Sequence, residues 1–536
     1  MANTGPDVRA RVKLPAALDP RTIPAALDRA AVDWPSTTGV VGRVEGRTHP
    51  LNFSEYRAGA AAAAVALRSH GVAPGDRVLW LADNDDSATA LLAHQGILRM
   101  GAIAVPLNPR LAAPEIAAIV ERVRPTLMLS AEPHRDLANR ALRLVGGPVA
   151  HHALGRLDGI GSGNGPDAAV DEDSKAVVLF TSGTTGRPKG VVHTHGSALA
   201  AGIGWSDAFR LRPGIDVLQS PFPIFSGAGL HFNALSCLWS GAAYVVDGTD
   251  TAASLALIEE CGSTVYVAVP AIYQYWLDSN LLNDSNPAFL SSLRILDYGG
   301  ASMAPTVIER LREALPRAGL MQTYGLTEAG PGGLYLAEEY ALTKLGSIGN
   351  RAAGATTEFR VVDCRGVDVG ADCEGELVLR GASIMAGYWE DDVATSAAFT
   401  ADGWLRSGDL VRLDGDGFAY HCDRLKDIIV RGGYNIASAE VEAVLMEHHD
   451  VVEAAVIGRE HPRLGEEVEA IVVLREGSAT TTDALQAHCA ERLADFKVPR
   501  HVRLIDRLPR NAAGKVTKPE LRRMTLVESR PGTDES

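Results

Sequence analysis

The sequence predicts an α/β protein of two or more domains, with α/β layers followed by a small β-rich module. Three observations predict it. Helical and strand-like patterns alternate over residues 53–145, the alternation resumes after residue 190, and over residues 357–420 it gives way to short strands separated by Gly and Asp turns. A chain of 536 residues is too long for one ordinary core, and 46% hydrophobic with 22% charged residues is a globular composition.

Taken in order, residues 1–15 mix polar and charged residues without an apolar core, which predicts no secretion signal. No run of 18 apolar residues follows, so the expectation is a cytoplasmic protein with no membrane partner, and the sequon Asn52-Phe53-Ser54 carries no meaning. Residues 58–70 are Ala-rich and helical, ended by Gly71; 76–82 read as a strand, 88–100 as an amphipathic helix stopped by Gly101, and 103–106 as the next strand. Residues 145–173, with glycines crowded at 159–165, read as a surface linker. The apolar runs 176–180 and 191–192 read as buried strands, as do 242–246, 265–269 and 294–298. Asp414-Gly415-Asp416-Gly417 lacks the remaining ligands of a calcium loop and is expected to be a hairpin turn.

Charge and cysteine content exclude several classes. With 51 basic and 66 acidic residues the net charge is -15, and no basic run tracks a nucleic-acid backbone, so any phosphate must be held locally. The six cysteines form no C-x-x-C pair and no regular spacing, which argues for reduced thiols rather than zinc or a disulfide framework.

Thr181-Ser182-Gly183-Thr184-Thr185-Gly186-Arg187-Pro188-Lys189-Gly190 lies between two of those strands. Its glycines let the backbone approach an anion, its hydroxyls supply short donors, and Lys189 adds a mobile charge. It is not a Walker A loop, because Pro188 precedes the Lys and Gly190 follows it. In this order the ten residues resemble the phosphate loop of the adenylate-forming superfamily, which joins AMP-binding acyl-CoA synthetases, peptide-synthetase adenylation domains and oxidative luciferases. The resemblance is closest to the acyl- and aryl-CoA ligases.

Further stretches extend the resemblance over nearly the whole chain from about residue 50. Asp297-Tyr298-Gly299-Gly300-Ala301-Ser302-Met303 resembles the turn that lets base and carboxyl group approach bare backbone, which implicates Gly299, Gly300 and Ala301. In Gln322-Thr323-Tyr324-Gly325-Leu326-Thr327-Glu328 the resemblance implies that Tyr324 lies on adenine, with Gln322 and Gly325 beside the nucleotide. It further implies that Thr327 reaches the α-phosphate and that Glu328, with Thr184, holds Mg2+. Asp402-Gly403-Trp404-Leu405-Arg406-Ser407-Gly408-Asp409 resembles the segment whose last Asp accepts both ribose hydroxyls, with Arg424 as the matching basic partner for ribose or phosphate. Lys426 matches the family's hinge, dividing a large N-terminal domain of 1–425 from a small, mobile α+β C-terminal domain of 426–536, and Gly432 and Gly433 match its thiol-channel loop. The family usually has Pro where Ser438 stands; Ser is a good helix N-cap, so a helix over 438–447 capped by Ser438 is expected. Lys515, in Leu508-Pro509-Arg510-Asn511-Ala512-Ala513-Gly514-Lys515, matches the catalytic lysine.

The resemblance implies an AMP-forming ligase that uses ATP and Mg2+ to make an acyl-adenylate and transfers the acyl group to CoA. Lys515, Thr327 and Glu328 would carry the chemistry. An enzyme loading carrier-protein phosphopantetheine, a diazotase that activates nitrite for an aromatic amine, and a non-enzymatic nucleotide sensor are the alternatives. The acid would meet Ser226, Gly227, His231, Tyr298 and Gly330. Family CoA ligases usually carry His at the position of Ser226 and amino-acid adenylation domains carry Asp; lacking both, the chain offers no counter-ion for an α-ammonium. The small residues Gly227, Ala228, Gly330, Gly332 and Gly333 are expected to leave room for a ring, favouring an aromatic or arylacrylic acid over a medium fatty acid.

Overall fold

The computed structural model describes residues 12–157, 168–181, 188–248, 250–279, 281–284, 289–301, 303–353, 357–511 and 516–528. The chain divides into two compact units: Met1–Arg360 with Val378–Ser407 and Asp416–Ala419, and Val361–Leu377 with Gly408–Gly415 and Tyr420–Ser536.

Two large sheets lie in the first unit. One orders its nine strands Arg351–Ala352, Gly333–Leu336, Gly319–Gly325, Ile295–Gly299, Val265–Ala268, Val217–Ser220, Ala243–Val246, Thr38–Val44 and Arg47–Asn52. The six from Gly319–Gly325 to Thr38–Val44 run parallel. The other orders seven: Gly387–Tyr388, Lys189–Thr194, Lys175–Thr181, Ile103–Leu107, Arg77–Leu81, Leu127–Ser130 and Ala150–Ala153. Apolar runs such as Ile103–Leu107 and Val265–Ala268 are buried at every position, as strands covered on both faces must be. The helices Ser87–Arg99 and His195–Phe209 are buried nearly all round, which a helix enclosed by other elements requires.

The predicted alternation is present with shifted ends. The first predicted helix begins at Phe53, because Asn52 accepts from the Glu55 amide at 2.8 Å while Glu55 accepts from the Asn52 amide at 2.9 Å, a reciprocal cap. The expected linker is corrected in part. Ala150–Ala153 pairs in parallel with Leu127–Ser130 as an edge strand, whereas the glycines at 159–165 lie outside the described residues.

Asp216 ties the beginnings of three strands together. Its fully buried carboxylate accepts from Arg212 Nε and Arg294 Nε, both at 2.8 Å, and from Thr264 Oγ1 at 2.8 Å. Burial alone would raise its pKa, but the two guanidiniums and the hydroxyl outweigh burial and hold it well below the usual carboxylate range.

In the second unit Tyr434–Ile436, Ile429–Arg431, Gly465–Leu474 and Val451–His461 form an antiparallel sheet, and His501–Leu504 joins Gly465–Leu474 in parallel. Its core packs Ile429, Ile436 and Val468 against Val441 and Leu445 of the helix Ser438–Met446. Ser438 does not cap that helix, contrary to expectation. It is the first helical residue, and its hydroxyl donates to Asp423 Oδ2 at 2.7 Å. Asp423 takes over the capping by accepting the Ser438 and Ala439 amides, so a carboxylate from a neighbouring segment meets the helix dipole.

Candidate active site

The phosphate-loop stretch sits at the end of a hairpin: Thr181 and Lys189 face each other as the last pair between Lys175–Thr181 and Lys189–Thr194. Ser182, Gly183, Thr184, Thr185 and Gly186 lie outside the described residues. Lys189 Nζ stands 4.8 Å from the centroid of the Tyr388 ring, and the Tyr388 hydroxyl donates to Glu328 Oε1 at 3.0 Å. No other partner of the Glu328 carboxylate is among the described residues. Burial, and then the carboxylate itself, hold the Tyr388 phenol well above its usual range, so it remains a donor at neutral pH. A cation, a phenol and a carboxylate thus meet where the two sheets approach.

Glu328 is held in place from the backbone. Thr327, Glu328 and Ala329 form a short turn after the strand Gly319–Gly325, and the turn is fixed by Met385 N donating to Glu328 O at 2.8 Å. On its other side His193, fully buried, bridges Thr327 O at 2.8 Å through Nε2 and Ser197 Oγ at 3.2 Å through Nδ1. Gly300 and Ala301 are exposed after the parallel neighbour Ile295–Gly299, and Gly300 adopts φ +78, which glycine alone takes without strain. Both loops leave the carboxyl ends of parallel strands, the usual place for a ligand in such sheets. Gln322 is buried beside them, Tyr324 is half-buried and Gly325 exposed.

The acid-facing candidates occupy two environments. Ser226 spends its hydroxyl on structure: it donates to Pro223 O at 2.7 Å and accepts from Gly229 N at 3.1 Å, opening the π-helical segment Ala228–Ala234. His231 within that segment is buried, with its ring 5.1 Å from that of His193 and edge to face. Tyr298 is fully buried among Tyr266, Tyr273 and Leu296. The space expected beside the glycines is filled. A Cβ on Gly330 would lie 2.5 Å from Ser383 O, on Gly332 2.6 Å from Ala329 O, on Gly333 2.1 Å from Tyr324 O and on Gly227 3.2 Å from Leu179 Cδ1. These residues are small because chain segments pack on them, not because they open a pocket.

In the second unit Asp409 is fully buried, and Arg424 Nε stands 2.7 Å from its Oδ1, an ion pair between two residues each assigned to the nucleotide; His421 Nε2 adds a contact at 3.3 Å. Lys426 is exposed on the turn Leu425–Asp427, between the buried Asp423 and Asp427. Gly432 and Gly433 make a hairpin turn with φ +57 and +89. Arg510 and Val516 form an isolated antiparallel bridge, and Lys515 lies outside the described residues.

The chain matches the AMP-binding enzyme family over residues 27–389 and that family's C-terminal domain over residues 440–515. It belongs to this family. A methyl-dioxo-octahydroindenyl-propanoyl:CoA ligase of Mycobacterium tuberculosis is 37% identical over 534 residues, covering 94% of this chain and 99% of that one. Feruloyl-CoA synthase of an Amycolatopsis species is 35% identical over 474 residues, covering 88% and 94%. Among solved structures, the O-succinylbenzoate CoA synthetase of Bacillus subtilis in complex with ATP and magnesium ion superposes with a TM-score of 0.82 at 29% identity, covering 92% and 98%. The mixed α/β fold with a large first and small last domain is therefore that of adenylate-forming enzymes.

Three residues of this AMP-binding enzyme escape sequence reasoning: Tyr388, His193 and His421. Gly387-Tyr388-Trp389 was the available signal for the first, since Gly387 at φ +143 leaves 2.8 Å between a Cβ and Thr395 Cγ2, a place only glycine fits.

Proposed function

We propose that this AMP-binding enzyme activates an aryl or arylacrylic acid and passes it to CoA. The reaction class is ATP-dependent, AMP-forming acid–thiol ligation, and the substrate is a small carboxylic acid. The observation that supports the site assignment is the contact of Lys189, Tyr388 and Glu328 at the mouth of the phosphate hairpin. Attack of a carboxylate on the α-phosphorus of ATP brings two anions together, so the chemistry is dominated by charge. A single carboxylate steadied by a phenol suits Mg2+, which takes one or two protein carboxylates and phosphate oxygens; Mg2+ bound there would neutralise charge on the phosphates. Lys189 and the hydroxyls of residues 181–185 would hold the leaving pyrophosphate, Thr327 the α-phosphate, and Asp409 with Arg424 the ribose. Lys515 would stabilise the pentavalent centre, and the thiol would then displace AMP from the acyl-adenylate.

The acid is uncharged beyond its carboxylate. Asp297, which precedes Tyr298 in its strand, is fully buried and its pKa is raised well above the usual range by burial, so it offers no counter-ion to an α-ammonium. Ring acids are favoured because the two relatives named above are a feruloyl-CoA synthase and an octahydroindenyl-propanoyl:CoA ligase.

The acceptor is tested by incubating enzyme, ATP, Mg2+ and an arylacrylic acid with either CoA or a holo-carrier protein. Thioester on CoA alone is expected; thioester on the carrier alone would move the enzyme to the carrier-loading class.

Tyr388→Phe tests the metal assignment. Removing a hydrogen bond to a charged group costs about 1.5–3 kcal/mol. Adenylation should fall about tenfold or more at limiting Mg2+ and recover as Mg2+ is raised, whereas a defect of packing alone would not respond to the metal.

A further inference from the structure

Beyond His193, on the side away from the Thr327–Glu328 turn, lies a small, partly enclosed cavity with apolar and polar walls. It has a volume of only about 10 Å3 and lies between the helix Ser87–Arg99 and the π-helical segment, lined by Tyr56, His94, Gln95, Leu230, His231 and Leu238 among others. Its centre admits one water-sized group. Both ring nitrogens of His231, Nδ1 of His94 and Oε1 of Gln95 are buried and have no hydrogen-bond partner among the described residues. His231, His94 and Gln95 are 1%, 4% and 3% exposed, so open solvent does not satisfy them. A buried polar atom left unpaired costs about 1–3 kcal/mol, and four around one cavity call for an occupant. The segment that carries His231 is a π-helix, a form that occurs mostly as short bulges and often at functional sites.

We propose that this cavity is the distal end of the acyl site and receives an uncharged oxygen, a hydroxyl or keto group, at the far end of the acid. It rests on the reading of residues 226–231 as an acyl wall and deepens that reading. The placement follows from His193, which touches Thr327 O on one side and the His231 ring on the other, so the cavity lies two imidazoles beyond the turn that carries Glu328. The charge state sets the ligand class. Burial, then His193 and His94, hold His231 well below the ordinary imidazole range, and burial, then His195, lowers His94 to about 3. Both rings are neutral at physiological pH and each presents one donor and one acceptor. A neutral oxygen can use either, whereas an ionised group would enter without a counter-charge. The size admits one such group and no second ring.

The test is kcat/KM for pyrophosphate release by the full-length enzyme on matched acids: para-hydroxycinnamic against cinnamic acid, and a terminal keto-alkanoic acid against its plain alkanoic counterpart. The wild type should favour the oxygen-bearing member of at least one pair by about tenfold or more. Gln95→Leu should bring that ratio near one while the plain acid is still turned over, and His231→Leu should likewise bring the ratio near one. A ratio near one in the wild type, or an unchanged ratio in both variants, would overturn the proposal and leave the cavity to a buried water. Failure of every acid would instead overturn the acyl-wall reading, and the cavity's role with it.

Discussion

Lys515→Ala is expected to abolish adenylate formation while thioester formation from a supplied acyl-adenylate continues at nearly the wild-type rate. The reason is that the pentavalent α-phosphorus centre forms only in the first half-reaction, so an ammonium matched to that centre stabilises one transition state and not the other. Losing one such preorganised donor costs about 3 kcal/mol, a hundredfold or more in rate. Two assays separate the steps: pyrophosphate release for the first, and CoA thioester from synthetic acyl-adenylate for the second. Equal losses in both would remove Lys515 from the role assigned to it.

Lys426→Pro should divide the half-reactions in the opposite sense. The residue is exposed on the short turn Leu425–Asp427, while its flanks are anchored: Asp423 binds the start of the helix Ser438–Met446, and Asp427 pairs with Arg522 at 3.1 Å. A hinge rotation is absorbed by a few dihedrals, and proline at residue 426 removes one of them by fixing φ. Adenylation should survive and thioester formation should be lost. Normal overall turnover in the mutant would show that the rotation, if the reaction uses one, turns elsewhere.

Much of the fold was readable because buried parallel strands write themselves as continuous apolar runs. The strands predicted at 176–180, 265–269 and 294–298 are Lys175–Thr181, Val265–Ala268 and Ile295–Gly299. The pair Thr38–Val44 and Arg47–Asn52 left no such mark, since four of the six residues of the outer strand face solvent. At the site, the motifs made Asp409 and Arg424 legible as candidates one by one, though not their mutual ion pair. Contacts between distant segments were not legible either: His193 meets Thr327 across 134 residues, and Tyr388 reaches Glu328 from a two-residue strand that pairs with Val191 and Val192. The glycines at 330, 332 and 333 show the converse error. Smallness in sequence suggests space, but in the fold the missing Cβ is replaced by a neighbouring carbonyl oxygen. Ser438 shows another, because a residue suited to capping was displaced by a carboxylate brought in from Asp423.

The account stands most directly on the products of one incubation: enzyme, ATP, Mg2+, CoA and an arylacrylic acid, with nucleotides and acyl species quantified together. It predicts AMP, pyrophosphate and acyl-CoA in equal amounts, with AMP release dependent on the acid. ADP as product, or ATP cleavage driven by nitrite with an aminoaryl acid and indifferent to CoA, would contradict it.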